Sequence, residues 1–187
     1  IIGGWTETNI GILKLYGDSD FSTAPPNAAP VNSVPESQTT YTDEPLAFTA
    51  FKGNAISISD ADAGPNAIQL SLSVDSGSLS LIGQGSNPNI SFVSGDGIDD
   101  SSMTFAGTVD SLNTALSWIS YTPSPGFTGD ATLTVTTNDL GFTGITGPKS
   151  DTDTVVISVQ PFEYTSAPNY PTLPAAREMS FGTDGTL

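Results

Sequence analysis

The residues best suited to chemistry lie in one short stretch, Asp60-Ala61-Asp62-Ala63-Gly64. In an extended segment, residues i and i+2 project to the same side, so the two carboxylates share a face. Two adjacent carboxylates repel unless a cation sits between them. A hard divalent ion, Ca2+ above all, takes roughly six to eight oxygens, and such a pair supplies several. The spacing is not that of an EF-hand, because the fifth loop position is Gly64 and the twelfth is Ser71. The alternative is an Asx turn, in which the carboxylates only cap local backbone.

Other acids repeat the theme. Asp139 stands in Asn138-Asp139-Leu140-Gly141 at the end of a strong strand pattern. Asp151 and Asp153 form a second i, i+2 pair where the last strand begins, and Glu36 and Glu44 flank the first strand. If these strand ends meet at one pole, Glu36, Asp60, Asp62, Asp139, Asp151 and Asp153 converge on a metal site.

The rest of the composition narrows the function by exclusion. The chain has no Cys and no His. A disulfide framework, a thiolate metal site, a His-ligated zinc and a Ser-His-Asp triad are all ruled out. No nucleophile stands with an activating base, so the expectation is a protein that is not an enzyme. Twenty acids face Lys14, Lys52, Lys149 and Arg177, for a net charge of −16. Nucleic acid and anionic lipid would be repelled. No apolar run approaches the roughly 20 residues that span a membrane, so no membrane insertion is expected.

The elements that must position these acids read as strands. Alternating or β-branched runs fall at 46–51, 54–59, 67–74, 77–82, 89–93, 102–107, 118–123, 130–138 and 153–160, with Gly- and Pro-containing turns between them. Many short strands at this spacing predict an all-β sandwich. One segment differs: in "TVDSLNTALSWI", Leu112, Leu116 and Ile119 fall at helical spacing, with Asp110 as the expected N-cap. It predicts one short helix.

Both ends change character. Residues 1–28 hold a strand pattern, "NIGILKLYG", followed by a Pro-rich linker. Ile10, Ile12, Lys14 and Tyr16 would face one way, Leu13 and Leu15 the other. Residues 161–187 carry scattered prolines and aromatics and read as an extended tail. The body is expected over 29–160. "GDGIDDSS" (95–102) reads as a polar hairpin loop. Trp118, Tyr121 and Phe127 read as core aromatics rather than a sugar platform, and Asn89-Ile90-Ser91 matches a glycosylation sequon.

Taken in order, "APVNSVPESQTTYTDEPLAF", "GNAISISDADAG", "LSLSVDSGSLSL", "MTFAGTVDSLNTALSWISYTPSPGFTGDATLTVTTNDLG" and "SDTDTVVISV" resemble the cadherin-like repeat of large secreted and surface proteins of bacteria. They are more distantly similar to chondroitin-sulphate proteoglycan repeats. The resemblance implies a calcium-stabilised, cadherin-like or Ig-like β-sandwich that is extracellular or at the cell surface. It places Asp60 and Asp62 on the Asp-x-Asp calcium motif, Asp139 on the Asn-Asp-x-Gly element, and Asp151 and Asp153 on the acidic start of the final strand. The chain departs from the family where the linker usually reads Asn-Asp-Ala-Pro; here it is Asn27-Ala28-Ala29-Pro30.

The functional expectation is therefore a structural module with Ca2+ as its ion. Its partners are expected to be copies of itself in a head-to-tail filament, or neighbouring surface-protein domains. Ile10, Ile12, Leu13, Leu15 and Tyr16 are the residues expected to donate a strand. The alternative is an adhesin that binds a glycan or protein through loops at one pole.

Overall fold

The computed structural model describes residues 25–82 and 89–163. The strand expected over Ile10 to Tyr16 and most of the expected C-terminal tail lie outside the described residues.

The described residues fold as an all-β sandwich with one short α-helix. Eleven strands are described: β1 (Val31–Ser33), β2 (Gln38–Tyr41), β3 (Leu46–Phe48), β4 (Ser57–Ser59), β5 (Ile68–Val74), β6 (Ser78–Leu81), β7 (Ser91–Ser94), β8 (Ser102–Gly107), β9 (Ile119–Thr122), β10 (Gly129–Asn138) and β11 (Ser150–Gln160). The helix α1 spans Val109–Leu116. One six-stranded sheet runs β2-β11-β10-β5-β8-β7, a three-stranded sheet runs β3-β9-β6, and β1 pairs with β4 alone. Pairing is antiparallel except between β11 and β2.

Alternation builds the core. In β5, Ile68, Leu70, Leu72 and Val74 are buried while Gln69, Ser71 and Ser73 are partly exposed. Their register neighbours Met103 and Phe105 on β8, and Leu133 and Val135 on β10, are also fully buried. Phe48, Leu79, Ile119 and Tyr121 of the three-stranded sheet join the same cluster. A period-2 apolar pattern on two facing layers accounts for this arrangement.

The helix forms where expected, but its cap differs. Thr108, not Asp110, is the N-cap and accepts from the Ser111 amide at 3.3 Å. Asp110 sits in the first turn instead, where a negative charge also suits the helix dipole. Leu112 and Leu116 enter the core, whereas Ile119 belongs to β9. Asn113 fastens the helix to β4: its side chain accepts from Ile58 N and donates to Ile58 O, both at 2.8 Å. It stands in for a missing strand partner.

The expected 46–51 strand stops at Phe48. Thr49 then caps a 3-10 turn over Ala50–Lys52, which ends at Gly53 in the left-handed region. Two short strands, β1 and β2, carry no alternation long enough to read from sequence.

Candidate functional site

Asp60 follows β4, and the chain then turns before β5. The Asp60 carboxylate holds that turn: its Oδ1 accepts from the Asp62 amide at 3.1 Å and the Ala63 amide at 3.0 Å. This is the Asx-turn geometry. Asp62 is used differently. Its Oδ2 accepts from the Ala28 amide at 3.0 Å, which ties the incoming segment to the turn.

Each carboxylate leaves one oxygen over. Asp60 Oδ2 and Asp62 Oδ1 are buried and have no hydrogen-bond partner; with Tyr121 Oη they are the three such side-chain atoms among the described residues. A buried carboxylate oxygen with no donor is costly unless a cation or proton neutralises it. The pair is electrostatically uneven. Burial pushes the Asp60 carboxyl up, and the neighbouring Asp62 adds to the rise. The Ala28 amide holds the Asp62 carboxyl down, with help from Asp60 and Thr143. At such a site a proton or a metal ion competes for the same two oxygens.

Asp139 reaches this end of the sandwich through Asn27. The Asn27 amide donates to Asp139 Oδ2 at 2.7 Å and to the Gly147 carbonyl at 2.7 Å. Thr143 Oγ1 donates to Asn27 Oδ1 at 3.0 Å. Asp139 Oδ1 in turn accepts from Gly141 N at 2.9 Å and Lys149 N at 2.8 Å. Asp139 is thus a buried brace for the β10–β11 loop. Gly144 completes the closure, because a Cβ there would overlap the Asn27 backbone.

The other expected ligands do not join the pair. Asp151 Oδ2 accepts from Asn32 N at 2.7 Å and fixes β1 to β11. Asp153 is half-buried on β11, and Glu36 is exposed between β1 and β2. Among the described residues no group of three or more His, Cys, Asp or Glu side chains could hold a metal ion. The expected six-acid convergence thus reduces to one pair among the described residues, Asp60 and Asp62, while Asp139 and Asp151 are held by backbone amides. The reason is topological. β10 ends and β11 begins at this pole, but Asp139 spends oxygens on the loop between them and Asp151 spends one on β1.

Sequence reasoning missed Asn27. It lies in a Pro-rich run that reads as linker, yet it is buried and clamped, so the folded body begins at least two residues before position 29. The only signal was its place ahead of Ala-Ala-Pro.

The aromatics separate. Tyr121 is fully buried and Phe127 packs against the core, as expected, whereas Trp118 is half exposed between α1 and β9. The "GDGIDDSS" stretch is braced by its own Asp100, whose Oδ2 accepts from Asp96 N at 3.0 Å and Gly97 N at 2.8 Å, and it lies along β6, where Asp99 N donates to Ser80 Oγ at 2.9 Å. Among the described residues no helix is long and apolar enough to cross a membrane. No family model matches the chain, and no curated protein matches it.

Proposed function

We propose that the chain is a non-enzymatic structural module, a cadherin-like sandwich stabilised by Ca2+ and acting outside the cell or at a bacterial surface. The observation that carries the calcium reading is the pair of buried, partnerless oxygens, Asp60 Oδ2 and Asp62 Oδ1. Two carboxylates alone do not fill a calcium shell, so backbone carbonyls and water would complete it. The ion would neutralise the β4–β5 turn at the point where Ala28 brings in the preceding segment. Thermal melting with calcium and with chelator tests this. Calcium should raise Tm; equal melting in both returns Asp60 and Asp62 to a plain Asx turn.

Assembly with copies of itself is the second part of the reading. A donated strand from Ile10 to Tyr16 needs an open sheet edge. The β3 edge does not offer one, because Asn54 accepts from Thr49 N at 3.0 Å and donates to Ala47 O at 3.1 Å. The β6 edge is met by the 97–100 loop, with Leu79 N donating to Asp100 O and Leu81 N to Gly97 O. The acceptor would then be β2 or β7, both four residues long, at the margins of the six-stranded sheet. Deleting residues 1–22 tests it: assembly that survives the deletion rules out strand donation. Trp118, 53% exposed, is the observation that favours an adhesin instead. That reading requires saturable ligand binding that Trp118→Ala removes.

A further inference from the structure

The loop joining β10 to β11 is rigidly braced, yet it presents apolar side chains to water. Asp139 and Lys149 close its neck through a hydrogen bond from Asp139 N to Lys149 O at 3.1 Å, beside the carboxylate bonds already described. Asn138 Oδ1 accepts from Leu140 N at 2.8 Å, and Asn138 Nδ2 donates to Ser150 Oγ at 2.7 Å. On this frame Leu140 takes a positive φ of 60°, an unfavourable conformation for a Leu. Phe142 is 66% exposed, Ile145 is 63% exposed and Leu140 is 37% exposed. Single exposed apolar residues are ordinary; three within six positions of a braced loop, one of them in strained backbone, mark a contact surface.

The chain itself indicates what meets this surface. The incoming segment is fastened to this same loop: Asn27 is held by Gly147, Thr143 and Asp139, and Ala28 by Asp62. Whatever precedes residue 25 therefore starts from the base of the apolar patch. The strongest apolar run in that stretch is Ile10, Ile12, Leu13, Leu15 and Tyr16. Eleven positions separate Tyr16 from Asn27, a reach of up to about 37 Å when extended. That is ample for a return to a loop that Asn27 already touches. Charge complementarity is confined to the run itself: Lys14 is the one charged side chain in residues 10–16, flanked by Glu7, Asp18 and Asp20. The acids fixed near the incoming segment are Asp62, on Ala28 N, and Asp151, on Asn32 N.

We propose that residues 10–16 dock in cis on Leu140, Phe142 and Ile145 of the β10–β11 loop, with Lys14 turned toward the neighbouring acids. Tethering through the clamped Asn27 gives the run a high effective concentration at its own loop, so docking within one chain outcompetes docking between chains in dilute solution. The inference does not depend on calcium and stands as the competitor to donation between copies.

Hydrogen exchange on the full chain tests it, alongside light scattering. The substitutions Phe142→Ser and Ile145→Ser alter exposed side chains, and circular dichroism checks that the sandwich remains. In the intact chain, amides 10–16 should exchange about tenfold or more slowly than in the double variant, at any protein concentration, with a monomeric mass. Lys14→Glu should weaken the protection, and more so at low salt. Amides 10–16 that exchange at unprotected rates in the intact chain overturn the proposal. Protection that survives Phe142→Ser with Ile145→Ser places the run elsewhere and overturns it too. Protection that grows with concentration alongside a rising mass assigns the run to a second copy, against docking in cis.

Discussion

Asn27 donates to Asp139 at 2.7 Å although 112 residues separate them in sequence. This contact joins the first described segment to the last loop before β11, beside the turn that holds Asp60 and Asp62. It makes Asp139 a structural carboxylate, satisfied by three donors, rather than a free ligand.

Asp139→Ala should therefore destabilise the fold even without any metal. Gly141 N and Lys149 N would lose their part-buried acceptor, and the Asn27 amide would lose a buried one, keeping only Gly147 O. The expected cost is about 3 kcal/mol by denaturant unfolding. Asp139→Asn keeps the oxygen for the two backbone amides but sets an amide against the Asn27 amide. It should fall between wild type and alanine. A loss that appears only with calcium present would instead make Asp139 a ligand.

Calcium should protect the protein against heat, and the effect should vanish in Asp60→Asn. At a hundredfold excess of free ion over Kd, linkage gives about 2.7 kcal/mol. Asn at position 60 still accepts from the Asp62 and Ala63 amides, so the turn survives while the anionic oxygen is lost. Scanning calorimetry with calcium and with chelator separates the two roles. A variant that still gains stability from calcium would place the ion elsewhere.

The same pair predicts a pH dependence of known sign. The raised Asp60 carboxyl binds its proton more tightly in the folded protein than in the unfolded chain. That stabilisation is present below the ordinary carboxyl range, at roughly pH 4, and is lost as pH rises through the folded value. The lowered Asp62 carboxyl acts in the opposite sense: it contributes above the ordinary range and fades as pH falls through its folded value. In chelator, stability should thus decline as pH rises from the ordinary carboxyl range through the raised folded value of Asp60. Asp60→Asn should flatten that decline, and calcium should offset it in the wild type by replacing the proton. Melting curves across this range, with and without calcium, measure it. A decline that Asp60→Asn leaves intact assigns the effect to another group.

The reach of the sequence is clear from particular elements. β5, β8 and β10 were legible because six to eight residues alternate without interruption and bury one face. β1 and β2 were not, because three or four residues of mixed polarity hold no period. β1 is fixed from outside by the Asp151 carboxylate on Asn32 N. The Asp60–Asp62 pair was legible because the two acids stand two residues apart, although an Asx turn rather than an extended strand keeps them together. The fate of Asp139 was not, because it depends on Asn27, which no local pattern connects to it. Spacing along the chain reports which side chains share a face; it does not report which oxygens the backbone amides of other loops will claim.

The three-stranded sheet offers a final test at Tyr121 and Gly77. Tyr121 is fully buried, and its Oη is the third partnerless oxygen. Burial and the Asp75 carboxylate push its phenol up, so it stays neutral and donates to nothing described. Tyr121→Phe removes that hydroxyl while keeping the ring, so stability should be unchanged or rise by up to about 1 kcal/mol. Gly77 lies against the same ring. Its φ is 98°, and a Cβ would come within 2.7 Å of Tyr121 Cε2 and overlap the Thr122 carbonyl oxygen. Gly77→Ala should thus cost about 3 kcal/mol, through backbone strain and the clash together. The two variants differ by single small groups, yet only Gly77→Ala should lower the unfolding free energy. If Tyr121→Phe is as damaging as Gly77→Ala, an ordered water or other partner satisfies the hydroxyl, and the ring is held by more than apolar contact.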